Sequence, residues 1–456
     1  MQARMGDVRW YKRRLIALGL LACWAGRLAP ARADEHSSTP TAGFVGDGRC
    51  GNPTCHGAPL PVTDAQKKNW QPWKSARILW LNRDHHARAY NTLRTPAALK
   101  IAQYMGIQAT ESDKCLVCHA PAATPAAESV YQRSDGVTCE VCHGPAEHWL
   151  EPHVQKDWDS KRAQYASLGF CDNRGLVQRA DKCASCHVEI DHEIVAGGHP
   201  PLQFEVVAYG QNIKHWDDDR RHPGAFSSDP TLWAIGQVVG LCRTAAMIEH
   251  RTGEANYQSI AKFPHFSDKN CYQCHHKLID DALRQAQGHH EMVDALLAVS
   301  IPDERADLTR LWDQLTAAVA VSPEAARDEA TNLENWCPPM ERRVAETTVD
   351  RDATRQILAL LTSSGQRLKD IRRFDYQLPK DSNVTRIYAI GTPWWYTTGG
   401  PEQVVMAIES LYGPACGTHA AIDDDLRTLA QEVDRFYYRP EPFLQTLRKI
   451  DRKLCH

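Results

Sequence analysis

The chain has 456 residues, with 16 Cys, 21 His and 7 Met, 43% hydrophobic and 24% charged residues, and a formal charge of −3. This composition excludes a disordered chain, and the cysteine content is too sparse for a disulfide miniprotein and too rich for an ordinary cytosolic enzyme. The charge shows no overall bias toward nucleic acid, and no apolar run reaches the roughly 18 residues of a conventional spanning helix.

Residues 1–14 carry Arg4, Arg9, Lys12, Arg13 and Arg14, an apolar run follows from Leu15 to Gly26, and Ala31-Arg32-Ala33 puts small residues before Asp34. The pattern predicts a secretory signal peptide over residues 1–33. Competing readings are a short membrane anchor and a lipoprotein signal in which Leu20-Leu21-Ala22-Cys23 leaves a lipid anchor on Cys23. Cleavage after Ala33 removes seven basic residues and one acidic one, leaving 46 basic and 55 acidic residues and a formal charge of −9. Residues 34–49 are polar and rich in Gly, Thr and Ser, which predicts a mobile linker.

Four cysteine pairs then share one pattern: Cys115-Leu-Val-Cys118-His119, Cys139-Glu-Val-Cys142-His143, Cys183-Ala-Ser-Cys186-His187 and Cys271-Tyr-Gln-Cys274-His275. Each is C-x-x-C-H, the attachment pattern of c-type haem. The two thiols bond the two vinyl groups of one haem, and the adjacent His becomes the proximal iron ligand. Zinc and redox C-x-x-C chemistry compete for such pairs, but neither requires a His after every pair. Composition alone predicts far less than one such match. Cys50-Gly-Asn-Pro-Thr-Cys55-His56 is a fifth, less regular site of C-x₄-C-H form, whose bland alternative is a Cys50–Cys55 disulfide. The expected cofactor is therefore haem c, five covalently attached, or four if the Cys50/Cys55 site is not used. Attachment occurs on an unfolded, exported chain, so the general secretory route is favoured over the twin-arginine route hinted at by Arg13-Arg14.

Each iron has a sixth position. The mature chain offers only five Met against sixteen His beyond the five proximal ones, so bis-histidine ligation is the default. The candidates are His86, His153 and His199, then His215 and His276, with His85, His148, His192, His222 and His265 in reserve.

The runs Gly136-Val137-Thr138-Cys139-Glu140-Val141-Cys142-His143-Gly144-Pro145-Ala146, Asp84-x-His86-Ala87-x-Ala89-Tyr90, Gly198-His199-Pro200-x-Leu202-x-Phe204-Glu205 and Cys271-Tyr272-x-Cys274-His275-His276 resemble the multihaem cytochrome c554 type. The resemblance covers roughly residues 44–290 and favours His86, His153 and His199 over their neighbours. It implies a mainly α fold, with stacked haems as the core, and periplasmic electron transfer. The C-x₄-C-H site and a long C-terminal extension depart from the four-haem form. No C-x-x-C-K occurs, which lowers a nitrite reductase reading.

Beyond the motifs, helical spacing is expected over 60–105. Asp229-Pro230 opens a run through Trp233, Val238, Leu241 and Met247, and Leu308, Leu311, Trp312 and Leu315 repeat at helical spacing. Ser322-Pro323-Glu324 and Asp350-Arg351-Asp352 are helix starts, and 401–412, 420–436 and 441–453 are further helices. Residues 377–400 read as a loop with an extended piece from Val384 to Ile390, with Trp394-Trp395 as packing aromatics. Five mature cysteines lie outside the haem motifs: Cys171, Cys242, Cys337, Cys416 and Cys455. Cys337–Cys416 is the expected disulfide, since both fall in loop-like sequence of the haem-free half.

The expected organisation is a signal peptide (1–33), a linker (34–49), a pentahaem cytochrome c domain (50–280) and a helical C-terminal extension (281–456). The main reading is a periplasmic electron carrier, not an enzyme. Its partners would be other periplasmic redox proteins, including a membrane-associated quinone-linked or oxidoreductase partner, and not nucleic acid. Ten propionates would add acidity and favour a basic docking patch. Two alternatives stand beside it: a haem enzyme acting on a small nitrogen or sulfur compound at a five-coordinate iron, and a haem-bearing structural subunit of a membrane complex or filament.

Overall fold

Frequent Pro, Gly and capping residues cut the first half of the chain into short helices, while the second half carries long apolar-striped ones. The computed structural model describes residues 42–121, 123–190, 194, 197–200, 202, 204–215, 229–252, 284–319, 321–367, 400–433 and 440–455. The signal peptide, Cys23, the attachment motif Cys271–His275 with His276, the reserves His192, His222 and His265, and the expected extended piece with Trp394-Trp395 lie outside the described residues. No strand occurs among those described, and Phe44 and Pro125 form an isolated bridge. The fold is mainly α.

The chain divides into two compact units: residues 1–99, 106–178 and 215–217 form one, and residues 100–105, 179–214 and 218–456 the other. This cuts the chain elsewhere than the expected 50–280 and 281–456 division, because residues 179–214 pack with the C-terminal helices.

In the first unit the helices are α1 (Asp47–Cys50), α2 (Asp64–Asn69), α3 (Ala76–Arg83), α4 (Ala89–Thr92), α5 (Pro96–Met105, which runs on into the second unit), α6 (Asp113–His119), α7 (Cys139–His143) and α8 (Trp158–Lys161). Thr63 caps α2 in a capping box with Gln66. The apolar interior is thin. Val45, Ala146 and Trp149 form a small buried cluster, with Tyr165, Trp158 and Phe170 packed against it. Residues 42–49 differ from the mobile linker expected there. Val45 and Asp47 are buried, and the Glu140 carboxylate accepts from Val45 N (2.9 Å), Gly46 N (2.7 Å) and Ala146 N (2.8 Å). A carboxylate with three backbone donors is among the stronger local ties a chain can make, and a polar composition gives no hint of it.

α9 (Leu176–His187) leads into the second unit, followed by α10 (Val206–Ile213), α11 (Asp229–Thr252), α12 (Arg284–Ser300), α13 (Arg305–Val319), α14 (Pro323–Glu346), α15 (Arg351–Arg367), α16 (Gly400–Cys416), α17 (Asp423–Val433) and α18 (Pro440–Asp451). The expected starts are present: Ser322 Oγ accepts from Ala325 N at 3.1 Å and Asp350 Oδ1 from Ala353 N at 2.8 Å. Leu308, Leu311, Trp312 and Leu315 are all buried on α13. The segment Pro230–His250 of α11 is long and apolar enough to cross a membrane, but it is largely buried. It is the core helix of the bundle, with Trp233, Ile235 and Leu241 at 0% exposure.

The disulfides correct the expected Cys337–Cys416 pair. Cys242 on α11 bonds Cys337 on α14, and Cys416 at the end of α16 bonds Cys455. Cys337 and Cys416 lie in helices and not in loops. Helical packing brings α11 against α14 and the chain end back onto α16, and this sets the partners.

Candidate metal centres

A C-x-x-C-H run on a helix has a built-in geometry. Residues i, i+3 and i+4 share one face, so both thiols and the imidazole project together. Three motifs use this. Cys115, Cys118 and His119 end α6, Cys139 to His143 make up the whole of α7, and Cys183, Cys186 and His187 end α9. After α7 the chain turns at Gly144 (φ +83°), where a side-chain Cβ would lie 1.8 Å from Gly169 O. Only glycine permits that approach.

The irregular site is folded by its own loop. Cys50 closes α1, and Asn52 O accepts from Cys55 N (2.8 Å) and Gly57 N (3.0 Å), while His56 N reaches Cys50 O at 3.3 Å. The Asn52 side chain also accepts from Thr54 N at 2.9 Å, an Asx turn that curls the four intervening residues. A Cβ at Gly57 would sit 2.0 Å from Gly51 O, so the loop closes only with glycine there. The Cys50 and Cys139 thiols share a hydrogen bond, which lowers the Cys50 pKa and raises that of Cys139. Burial pushes the Cys183 thiol up to about 11 and raises Cys115. Cys50, Cys55, Cys115, Cys118, Cys139, Cys142, Cys183 and Cys186 all stand as thiols outside the two disulfides. Among the described residues no three His, Cys, Asp or Glu side chains converge as a metal-holding group, so the zinc reading has no donor set there.

The histidines are oriented by what their Nδ1 atoms touch. His56 Nδ1 meets Trp73 O at 2.8 Å, His119 Nδ1 meets Ala89 O at 2.9 Å, His199 Nδ1 meets Pro200 O at 2.8 Å, and His153 Nδ1 bonds Leu150 O. A carbonyl only accepts, so in each ring Nδ1 carries the proton and Nε2 the lone pair. His86 Nδ1 lies 2.9 Å from the Asp84 carboxylate. Burial pushes the His153 pKa down, which favours its neutral form.

Two pairs of rings come together in the first unit. His56 and His153 have centroids 6.3 Å apart and planes within 13°. His143 and His215 have centroids 6.2 Å apart with planes at 70°. In the second unit, Tyr209 lies 5.2 Å from His187. His86 and His119, with Asp84 and Ala89 as their Nδ1 partners, belong to the first unit, and His187 and His199 to the second. Sequence reasoning missed His290. It is 8% exposed and stacks on Trp312 at 4.4 Å; among the described residues neither ring nitrogen has a hydrogen-bond partner, and Nδ1 lies 3.7 Å from Glu291 Oε1. It also missed His289, which is fully buried with Nδ1 2.9 Å from Gln237 Oε1. Nothing in their local sequence separates these two from solvated histidines.

Thiol pairs with adjacent histidines displayed on helix ends fit the covalent attachment of haem c. Residues 53–144 match the family model of cytochrome c554 and c-prime, and over this segment the protein is cytochrome c554-like. The matched segment holds Cys55-His56, His86 and the motifs at Cys115 and Cys139. No curated protein and no solved structure matches the chain.

Proposed function

We propose that the protein is a periplasmic pentahaem cytochrome that carries electrons between redox partners through bis-histidine irons. The observation that carries this reading is the His56–His153 pair. A metal–imidazole nitrogen bond is about 2 Å and the ring centroid lies about 1.1 Å behind that nitrogen, so two rings sharing one metal would have centroids about 6.2 Å apart. The 6.3 Å of His56–His153 and the 6.2 Å of His143–His215 fit that spacing. Both His56 and His153 turn Nδ1 to a backbone carbonyl and so keep Nε2 for a ligand.

Cys50 with Cys55, Cys115 with Cys118, Cys139 with Cys142, Cys183 with Cys186 and Cys271 with Cys274 would hold the five haems. His56, His119, His143, His187 and His275 would be the proximal ligands. His153 would share an iron with His56 and His215 with His143, and His86 and His199 would serve the irons of His119 and His187. His276 follows His275 directly and cannot reach the opposite side of the same iron, so it would serve another. Haem supplies reversible one-electron exchange at iron. The protein's own task is to attach it, fix the ligand rings and keep water out. A thin apolar interior in the first unit is what a chain that packs around porphyrins needs. Two disulfides and the N-terminal signal pattern support an oxidising, extracytoplasmic location.

Intact mass of the mature protein counts the haems, and paramagnetic resonance of the ferric form reads the ligands. Five haems with only low-spin signals are expected. His153→Ala and His215→Ala should each convert one iron to high spin. A four-haem mass, or unchanged spectra in both variants, would overturn the reading.

A further inference from the structure

The segment that follows His199, the ligand assigned to the fourth attachment motif, is held from a distant part of the second unit. Gln403 Nε2 on α16 donates to Phe204 O at 3.0 Å and to Gln237 Oε1 at 2.9 Å. Ser410 Oγ, seven residues further on the same helix face, donates to the Glu205 carboxylate. That carboxylate also accepts from Val207 N (2.9 Å) and Ala208 N (2.6 Å) and so caps α10. Phe204, Glu205, Gln403 and Ser410 are each at most 5% exposed. Glycine lets the elements close: a Cβ at Gly236 of α11 would meet Val206 Cγ1 at 2.5 Å. One turn along from its cap, α10 carries Tyr209, whose ring packs 5.2 Å from that of His187.

We propose that Gln403 and Ser410 are positioning residues for the iron site of His187. From α16 they hold the extended Phe204-Glu205 segment, which lies between His199 and Tyr209, and so fix the ligand on one flank and the ring packed on His187 on the other. This rests on the reading of His187 and His199 as iron ligands. It gives the C-terminal helices a role at a haem that lies far from them in sequence. The bonds are buried and direct, and buried polar ties of this kind specify geometry more than they add net stability.

The test uses the full mature protein with its haems. Gln403→Met with Ser410→Ala removes both donors at nearly constant volume, and Ser410→Ala alone is the milder variant should the pair fail to fold. Thr446→Val is the control. Thr446 is 4% exposed and donates to Pro442 O within α18, so its loss loosens the same unit at a bond away from the Phe204-Glu205 segment. The expected result is an unchanged haem count with altered g-values and midpoint potential for one haem. That haem should be the one whose signal His199→Met replaces. Unchanged g-values and potentials in folded variants would overturn the proposal, as would equal shifts at every haem or the same shift in Thr446→Val. A wild-type mass without a haem at Cys183/Cys186 would instead remove the underlying reading.

Discussion

The His56 and His153 rings face one another at 6.3 Å with planes within 13°, although 97 positions separate them in the chain. The histidine of the least regular motif is thus met by a histidine that follows a different motif, Cys139–His143. Each ring is braced from behind by a carbonyl, Trp73 O for one and Leu150 O for the other. Loss of either brace should broaden the ligand geometry without removing the ligand.

The turn after the third motif should tolerate no side chain. Gly144→Ala forces a Cβ to 1.8 Å from Gly169 O at φ +83°, and a loss of about 3 kcal/mol or more is expected. Gly417→Ala is the comparison: its φ is +92° but no atom lies within 4 Å, so only the backbone cost of about 1 kcal/mol remains. Chemical unfolding of both variants measures the difference. Equal losses would show that the contact with Gly169 is not limiting.

The disulfides should dominate the stability of the second unit. Cys242–Cys337 closes 95 residues and Cys416–Cys455 closes 39. Loop entropy gives about 4–5 and about 4 kcal/mol as upper values. Paired Cys→Ala variants should lower the unfolding midpoint accordingly. With both disulfides formed and ten thiols on haem, Cys171 is the remaining thiol. Alkylation under denaturing, non-reducing conditions should therefore add one group, at Cys171. Two or more additions would contradict this pairing.

Two buried groups should titrate against each other. Burial raises Glu205 to about 7, above its ordinary value near 4.5, so its contribution is complete below pH 4.5 and is lost as pH rises toward 7. Burial lowers His289 to about 4, below its ordinary 6.5, so its contribution is complete above pH 6.5 and is lost as pH falls toward 4. Each amounts to about 3 kcal/mol by linkage, with opposite sign over nearly the same window. Relative to wild type, Glu205→Gln should gain stability as pH rises from 4.5 to 7, and His289→Gln should gain as pH falls from 6.5 to 4. Denaturant unfolding across this range decides it. Parallel curves for wild type and variants would show that neither group is the source.

His290 should be replaceable by a ring of the same shape. Its nitrogens are buried without hydrogen-bond partners while its face stacks on Trp312 at 4.4 Å. His290→Phe keeps the stacking and removes the desolvation cost at the loss of a 3.7 Å contact with Glu291 Oε1 that is too long for a hydrogen bond, so a net gain of up to about 1 kcal/mol is expected. A loss, read by thermal unfolding, would mean that the imidazole nitrogens are engaged in the loaded protein.

Much of the chemistry was legible in the residues in order. Attachment of haem is local chemistry: two thiols and a histidine within a few positions, on a helix face whose spacing follows from 3.6 residues per turn. The helix starts at Ser322 and Asp350 were equally legible, because a cap is made by neighbours in sequence. The tertiary structure alone decided which cysteines outside the motifs pair, that Glu140 pins Val45 and Gly46, and which histidines meet across a ring-to-ring gap. These depend on elements dozens to hundreds of positions apart, and no local pattern carries that distance. The buried pair His289 and His290 shows the limit most plainly, since a histidine's sequence neighbours say nothing of how many of its nitrogens will find a partner once the helices have packed.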